Sequence, residues 1–109
     1  MSVNISEEDL KTLLGDIKCY LHITWEDEIT NKNLTGMIKR GMAYLQDVAG
    51  MSTLVFTEED IEKSLLMDYC RYANSQALEM FEKNFQSDLL SLHLKYQAVT
   101  IEDTTEVSS

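Results

Sequence analysis

The sequence predicts an all-α domain. Three observations favour this fold class: the chain of 109 residues contains no proline and only four glycines, its apolar residues recur at helical spacing, and acidic clusters precede these apolar runs. A chain of this length builds one hydrophobic core. We therefore expect a small bundle of about four helices, with a long central third helix and a flexible C-terminal tail.

The first helix is predicted over residues 7–21. Ser6 can accept a hydrogen bond from an exposed amide of the first turn, and the acidic run at 7–9 faces the positive end of the helix dipole. The apolar residues that follow share one helical face: Leu10, Leu13, Leu14, Ile17 and Leu21. This pattern indicates an amphipathic helix, despite Gly15 in its middle.

A second helix follows the acidic cluster at 26–28 and reaches Gly50, whose missing Cβ suits the left-handed position after a helix end. Its apolar face consists of Leu34, Ile38, Leu45, Val48 and Ala49. Gly36 and Gly41 lie inside this helix, and each costs about 1 kcal/mol relative to alanine. Their presence indicates close approach of another backbone, or a local irregularity, at these two positions.

The run at 57–60 repeats the capping pattern and starts the third helix, which is predicted to span about 25 residues, or roughly 37 Å. Residues 84–88 permit a break, after which a fourth helix of about ten residues is expected. Whether the third and fourth helices are continuous or kinked is open at this point.

The predicted domain covers residues 1–98, and residues 99–109 form an acidic tail. The tail contains three acids and no base, and its residues show no helical period. Two short apolar segments, 54–56 and 99–101, could each form an extended edge segment, which is the one alternative to a purely helical chain. We expect the tail to be flexible.

Nineteen acidic residues against nine basic ones give a formal net charge of -10. Such a chain is repelled by phosphate, which disfavours nonspecific nucleic-acid binding. No apolar stretch approaches the roughly 18 to 20 residues of a membrane helix, and the N-terminus lacks the basic start of a signal peptide. A soluble, non-secreted protein is expected, in which Cys19 and Cys70 are reduced, buried thiols and a disulfide is poorly motivated.

Metal sites are weakly indicated. Residues 31–42 place Asn, Asn and Gly at positions one, three and six of a calcium loop, but Met42 occupies the position of the bidentate glutamate and carboxylates are missing. Cys19 and His22 are three residues apart, and Cys70 with His93 would complete four zinc ligands. One Cys-x-x-His pair without a second close pair is a weak signal. No metal and no cofactor are predicted.

Enzymatic motifs are also missing from the sequence. Two histidines are the candidate general bases near neutral pH, and they lie in unrelated contexts. The chain contains no Gly-x-Ser-x-Gly, no phosphate-binding glycine loop and no His-Glu-x-x-His. We therefore expect a protein that is not an enzyme and has no catalytic residues.

The charges are unevenly distributed along the chain. No acid occurs between residues 29 and 46, whereas acids cluster at 7–9, 26–28 and 58–62. A basic helix on an acidic molecule can bind the acidic surface of an identical copy. The candidate subunit-interface residues are Lys32, Lys39, Arg40, Glu58 and Glu59. The alternative is a solvated helix face without a partner, since exposed charge pairs contribute only ~0 to 1 kcal/mol.

Four segments together resemble the head-tail connector, or head-completion adaptor, family of tailed DNA phages. They are LTGMIKRGMAYLQDVAG at 34–50, LLMDYCRYA at 65–73, ALEMFEKNF at 77–85 and LLSLHLKY at 89–96. The resemblance extends over most of residues 5–98 and depends on the pattern and order of helices, because none of the segments is a catalytic signature.

This resemblance implies a helical subunit that forms a ring of about twelve copies beneath the portal vertex and extends the DNA channel toward the tail. The implied partners are other copies of the chain, the portal protein and the next head-completion or tail component. Double-stranded DNA would pass through without specific binding, past a wall of roughly -120 formal charges. The implied location is the head-tail interface of the virion, and the host cytoplasm before assembly, with no membrane contact.

The resemblance also suggests that a chain end contacts the portal. The candidate portal contacts are Val99, Ile101 and Val107, which alternate and could add an extended strand to a partner's sheet edge. Two other functions remain open: a small acidic module of the DNA-mimic type that blocks a basic DNA-binding protein, and a zinc-stabilised domain.

Overall fold

The computed structural model describes the backbone of residues 5–108 and the side chains of residues 5–97. This part of the chain contains five helices and no strand. The helices are α1 Glu7–Tyr20, α2 Glu28–Ala49, α3 Ile61–Asn74, α4 Leu78–Asn84 and α5 Gln86–Ser108. The predicted all-α class is confirmed, and the described chain contains five helices where about four were expected.

The acidic clusters start helices as predicted. Ser6 caps α1, with its Oγ accepting a hydrogen bond of 3.1 Å from the amide of Asp9. Asp27 caps α2 in the same way, accepting at 3.0 Å from the amide of Thr30. Asp60 caps α3 by accepting from the first amide of that helix. These side chains satisfy backbone donors that the helix itself leaves unpaired.

The expected long third helix is wrong, because the chain leaves the helix after Asn74. Gln76 adopts a φ of 56°, and the amide of Ala77 donates to the carbonyl of Tyr72 at 2.9 Å, which closes a Schellman turn. Such a turn usually carries glycine at the left-handed residue, so glutamine gives no sequence signal for it. Residues 78–84 then form the separate short helix α4.

Two other helices end in the same type of turn. Gly50 lies after α2 with a φ of 70°, which confirms the predicted end of that helix. His22 takes this position after α1, with a φ of 60°. The amide of the next residue, Ile23, donates to the carbonyl of Lys18 at 2.8 Å. Helix α1 therefore ends one residue earlier than expected.

Helix α2 lies at the centre of the fold and packs against α1, α3 and α5. The buried apolar side chains come from all five helices and the loop before α3: Leu13, Ile17, Leu34, Ile38, Met42, Leu45, Ala49, Phe56, Leu65, Leu66, Tyr69, Cys70, Phe81, Leu89 and Leu92. Phe81 attaches α4 to this core through edge contacts with Tyr69 and Tyr72, at centroid distances of 5.6 and 5.8 Å. These contacts explain how a helix of only seven residues is held in place.

At Gly41, side chains of α3 pack directly against the backbone of α2. A Cβ added there would lie 2.7 Å from Cδ1 of Tyr69 and 2.8 Å from Cδ1 of Leu66. The predicted close approach is therefore real at this position, although side chains of α3 rather than a backbone make it. At Gly36 an added Cβ would meet only the guanidinium of Arg40, at 3.1 Å.

The C-terminal segment differs from the expectation. Residues 99–108 belong to α5, so the helix crosses the boundary placed between residues 98 and 99, and the predicted non-helical tail is wrong for this segment. The side chains of Val99, Ile101 and Val107 lie outside the described residues. The other candidate extended segment, residues 54–56, is part of the loop between α2 and α3.

Two glycine substitutions test the packing of α2 against α3. Gly41→Ala should lower the free energy of unfolding by about 1 to 3 kcal/mol, because the new methyl group overlaps two core side chains. Gly15→Ala is the matched control in α1, where nothing lies within 4 Å, and should raise stability by up to about 1 kcal/mol. Urea unfolding followed by circular dichroism measures both. Equal gains from the two changes would contradict the packing described here.

Candidate assembly surfaces

An exposed basic stripe runs along one side of α2. It consists of Lys32, Lys39 and Arg40, with the small residues Gly36 and Ala43 on the same side. Lys32 and Arg40 are about 12 Å apart along the helix axis. None of the three cations forms an ion pair within the described part of the chain. Their positive charges are therefore not compensated by any carboxylate of residues 5–97.

Four of the other six cations of the helical domain behave differently. The side chains of Lys18, Lys63, Arg71 and Lys95 each form at least one ion pair with a carboxylate, whereas Lys11 and Lys83 form none with the described residues. Lys18, for example, lies 2.7 Å from Glu26 and closes the loop between α1 and α2. The hydrogen bond from Lys18 and a second one from Asn31 lower the pKa of Glu26. The basic stripe thus differs from this internal use of positive charge.

An acidic groove lies between α1 and α3, with a volume of about 620 Å³. Its wall carries one ammonium group, that of Lys63, and four carboxylates. The carboxylates are those of Asp16, Glu59, Asp60 and Asp68. The apolar part of the wall includes Cys19, Tyr20 and Met67. Of the predicted interface acids, Glu59 lines this groove, and Glu58 is exposed beside it in the loop before α3.

Hydrogen bonds organise the two ends of the groove. Lys63 Nζ lies 2.5 Å from Glu59 Oε1 and 3.0 Å from Asp16 Oδ2, and these contacts raise the pKa of the lysine. At the other end, the hydroxyl of Tyr20 donates to Asp68 Oδ1 at 2.6 Å. This hydrogen bond, followed by burial and the charge of Asp68, raises the pKa of Tyr20. The tyrosine therefore stays neutral near pH 7 and acts as a donor.

Nearby cations only partly neutralise the groove. Arg71 Nε lies 3.4 Å from Asp68, and Lys95 Nζ lies 3.3 Å from Asp60. With these two and Lys63, three cations contact the acidic region. The acids that line the groove or lie beside it number five: Asp16, Glu58, Glu59, Asp60 and Asp68. An excess of negative charge therefore remains at the groove.

Glu62 connects α3 to α5. It is only 3% exposed, and its Oε2 accepts hydrogen bonds from the Tyr96 hydroxyl and, at 2.7 Å, from Lys95 Nζ. Burial by itself would raise the pKa of Glu62, but the hydrogen bonds from Lys95 and Tyr96 outweigh it and lower the pKa. The same contact with Glu62 raises the pKa of Lys95. The sequence shows Glu62 only as a member of the acidic cluster at 58–62, because its partners lie 33 and 34 residues away.

The cysteines and histidines do not converge. Cys19 is exposed in the groove, so the prediction of a buried thiol is wrong there, whereas Cys70 is buried and its pKa is raised to about 12 by that burial. His22 is exposed, and His93 Nδ1 lies 2.9 Å from the carbonyl of Val48. Among the described residues, no group of three or more His, Cys, Asp or Glu residues could hold a metal ion. The calcium-like residues 31–42 lie within α2.

Large apolar side chains are exposed close to the basic stripe. Ile29 in the first turn of α2 is 70% exposed, and Trp25 in the preceding loop is 55% exposed. Tryptophan is enriched among the residues that dominate binding energy at protein interfaces. Position 29 is also in register with the stripe, three residues before Lys32. The stripe therefore has an apolar end.

No protein-family model, curated protein or solved structure matches this chain. Within the part of the chain that the structure describes, no helix has the length and apolar character needed to cross a membrane.

Glu62→Gln tests the connection between α3 and α5. Its folded-state pKa is lowered, so its contribution to stability is present above its ordinary pKa of 4.5 and is lost as the pH falls further. The substitution should lower the free energy of unfolding by about 1 to 3 kcal/mol at pH 7. It should also make the free energy of unfolding decrease less between pH 7 and pH 3 than in the wild type. Urea unfolding between pH 7 and pH 3 measures this. Glu79→Gln, on the exposed side of α4, is the control, and identical acid profiles for Glu62→Gln and wild type would contradict the assignment.

Proposed function

We propose that the chain is a structural virion protein, a head-tail connector that forms a ring beneath the portal and extends the DNA channel to the tail. The observation that carries the proposal is the set of uncompensated cations on α2 of a chain whose net charge is -10. Because no carboxylate of the described chain pairs with them, they are available to another molecule. A protein that assembles through its surface needs such complementary faces.

The helix order supports the same proposal. The first helix ends before a short acidic segment, α2 closes on Gly50, and the aromatic side chains of α3 and α4 pack together. The first two are features in which the sequence resembles the connector family. The long third helix that also belonged to that resemblance is divided here into α3 and α4. A fold and an order of helices alone do not determine function. The unpaired cations on α2 therefore support the proposal more strongly than the helix order does.

The acidic surface fits a conduit for double-stranded DNA. A wall rich in carboxylates repels phosphates and does not hold the duplex during passage, whereas a basic wall would retain it. In this proposal DNA is a passing cargo, and the binding partners are proteins: further copies of the chain, the portal and the next head-completion or tail component. No cofactor and no catalytic residue is assigned.

The C-terminal end of α5 is proposed as the contact with the portal, through the segment that contains Val99, Ile101 and Val107. Because this segment is helical in the structure, docking as a helix replaces the strand addition considered for the sequence. The hydrogen bond of Tyr96 with Glu62 fixes the first part of α5 on the core. The part of the helix that follows can therefore contact a neighbouring protein without disturbing the core.

The acidic groove gives a second candidate function. A regulator of the DNA-mimic type would present clustered carboxylates to a basic DNA-binding protein. Such a regulator forms a stoichiometric complex with its target and has no need for the basic stripe on α2. The two functions therefore differ in whether the chain assembles with itself.

Co-assembly with the portal tests the proposed function. The full chain mixed with the portal protein of the same phage should give rings seated on portals in negative-stain images. A chain shortened by residues 99–109 should keep its thermal midpoint, because Glu62 still holds α5, but should lose portal binding. Portal binding by the shortened chain would refute the proposed contact. Absence of rings with the full chain, together with a one-to-one complex with a DNA-binding protein, would refute the connector function.

A further inference from the structure

We infer that the acidic groove between α1 and α3 of one copy receives the basic stripe of α2 from the next copy. This inference rests on the proposed connector function, in which copies of the chain bind one another. It adds which two surfaces of neighbouring copies are in contact.

Charge complementarity selects this occupant. The groove region carries five acids, which three cations contact, and the stripe carries three cations on a helix stretch, 29–46, that contains no acid. Docking places the unpaired cations of the stripe next to the excess carboxylates of the groove. Because the stripe contains no acid, no carboxylate of the stripe is brought close to the carboxylates of the groove. Arg40 adds a planar fork of donors that can bind a carboxylate through two hydrogen bonds.

The shapes of the two surfaces are compatible with this contact. The apolar atoms of Cys19, Tyr20 and Met67 in the groove wall can cover the methylene stems of lysine and arginine. On the stripe, Gly36 lies between Lys32 and Lys39 and has no side chain, and the space above it is occupied by the guanidinium of Arg40. A neighbouring helix can approach α2 at this position when that guanidinium turns toward a carboxylate of the groove.

A second copy fits the stripe better than DNA does. Only three cations are present, and the chain as a whole is strongly acidic, so a duplex would be repelled from most of the surface. The two docking faces lie on different helices, so each copy can offer one face to each of two neighbours in a heterologous, head-to-tail contact. Such contacts form a ring when the rotation from copy to copy closes.

A charge exchange tests the pairing. Lys39→Glu with Arg40→Glu reverses the stripe, and Glu58→Lys with Glu59→Lys reverses the groove. Each variant alone should lose at least tenfold in assembly, measured by sedimentation velocity with portal protein as template. An equimolar mixture should regain assembly, because the acidic stripe of one variant meets the basic groove of the other and the two remaining faces are wild type. Lys11→Glu with Lys83→Glu changes net charge as much as the stripe variant and should assemble normally.

The results separate the inference from the function on which it rests. Assembly of the stripe variant at wild-type level would overturn the docking assignment while leaving the connector function intact. Failure of the wild type to assemble on portals would refute the function as well. Binding of the wild type to duplex DNA, lost in the stripe variant, would show that the stripe serves nucleic acid and would also overturn the inference.

Cross-linking gives an independent test of the same contact. Cys19 is exposed in the groove and Cys70 is buried, so Gly36→Cys places one new accessible thiol in the stripe. A short bismaleimide should then link copies into a ladder that extends beyond dimers, because each copy carries both reactive positions. The ladder should disappear when Cys19→Ser is added. Ser91→Cys, on the exposed side of α5, is the matched control and should give no ladder; an equal ladder from it would contradict the contact.

Discussion

The contact of α3 with Gly41 is the constraint on which the rest of the structure depends. Because Leu66 and Tyr69 occupy the space where a Cβ would lie, α2 and α3 approach each other closely and share one core. This arrangement directs the apolar side of α2 inward and leaves Lys32, Lys39 and Arg40 at the surface. The basic stripe is thus a consequence of how the core is packed.

The buried carboxylate of Glu62 has a comparable role for the last helix. Its hydrogen bonds with Lys95 and Tyr96 fix α5 against the start of α3, beside the groove. Lys95 also contacts Asp60, so this clamp joins the cap of α3 to α5. The charged groups of the described chain therefore divide into two sets: ion pairs that connect elements of the fold, and exposed charges, such as those of the basic stripe, that have no ion-pair partner.

The sequence predicts the features that depend on local chemistry. The caps at Ser6 and Asp27 and the left-handed Gly50 each involve residues within a few positions of one another, and all three lie where the pattern placed them. The turn at Gln76 was missed, because a residue other than glycine adopts the left-handed conformation there. The groove was missed for another reason: Asp16 and Asp68 come together only through the packing of α1 on α3.

The basic stripe and the acidic groove lie on different parts of the surface. This separation of charge is how a small acidic protein could assemble with itself despite a net charge of -10. A cryo-electron microscopy map of the protein assembled on its portal tests this account most directly. The account predicts a ring in which α2 of each subunit lies across the groove between α1 and α3 of its neighbour, with Arg40 in ion-pair contact with a carboxylate there. A ring in which the cations of α2 face solvent or the central channel would contradict it.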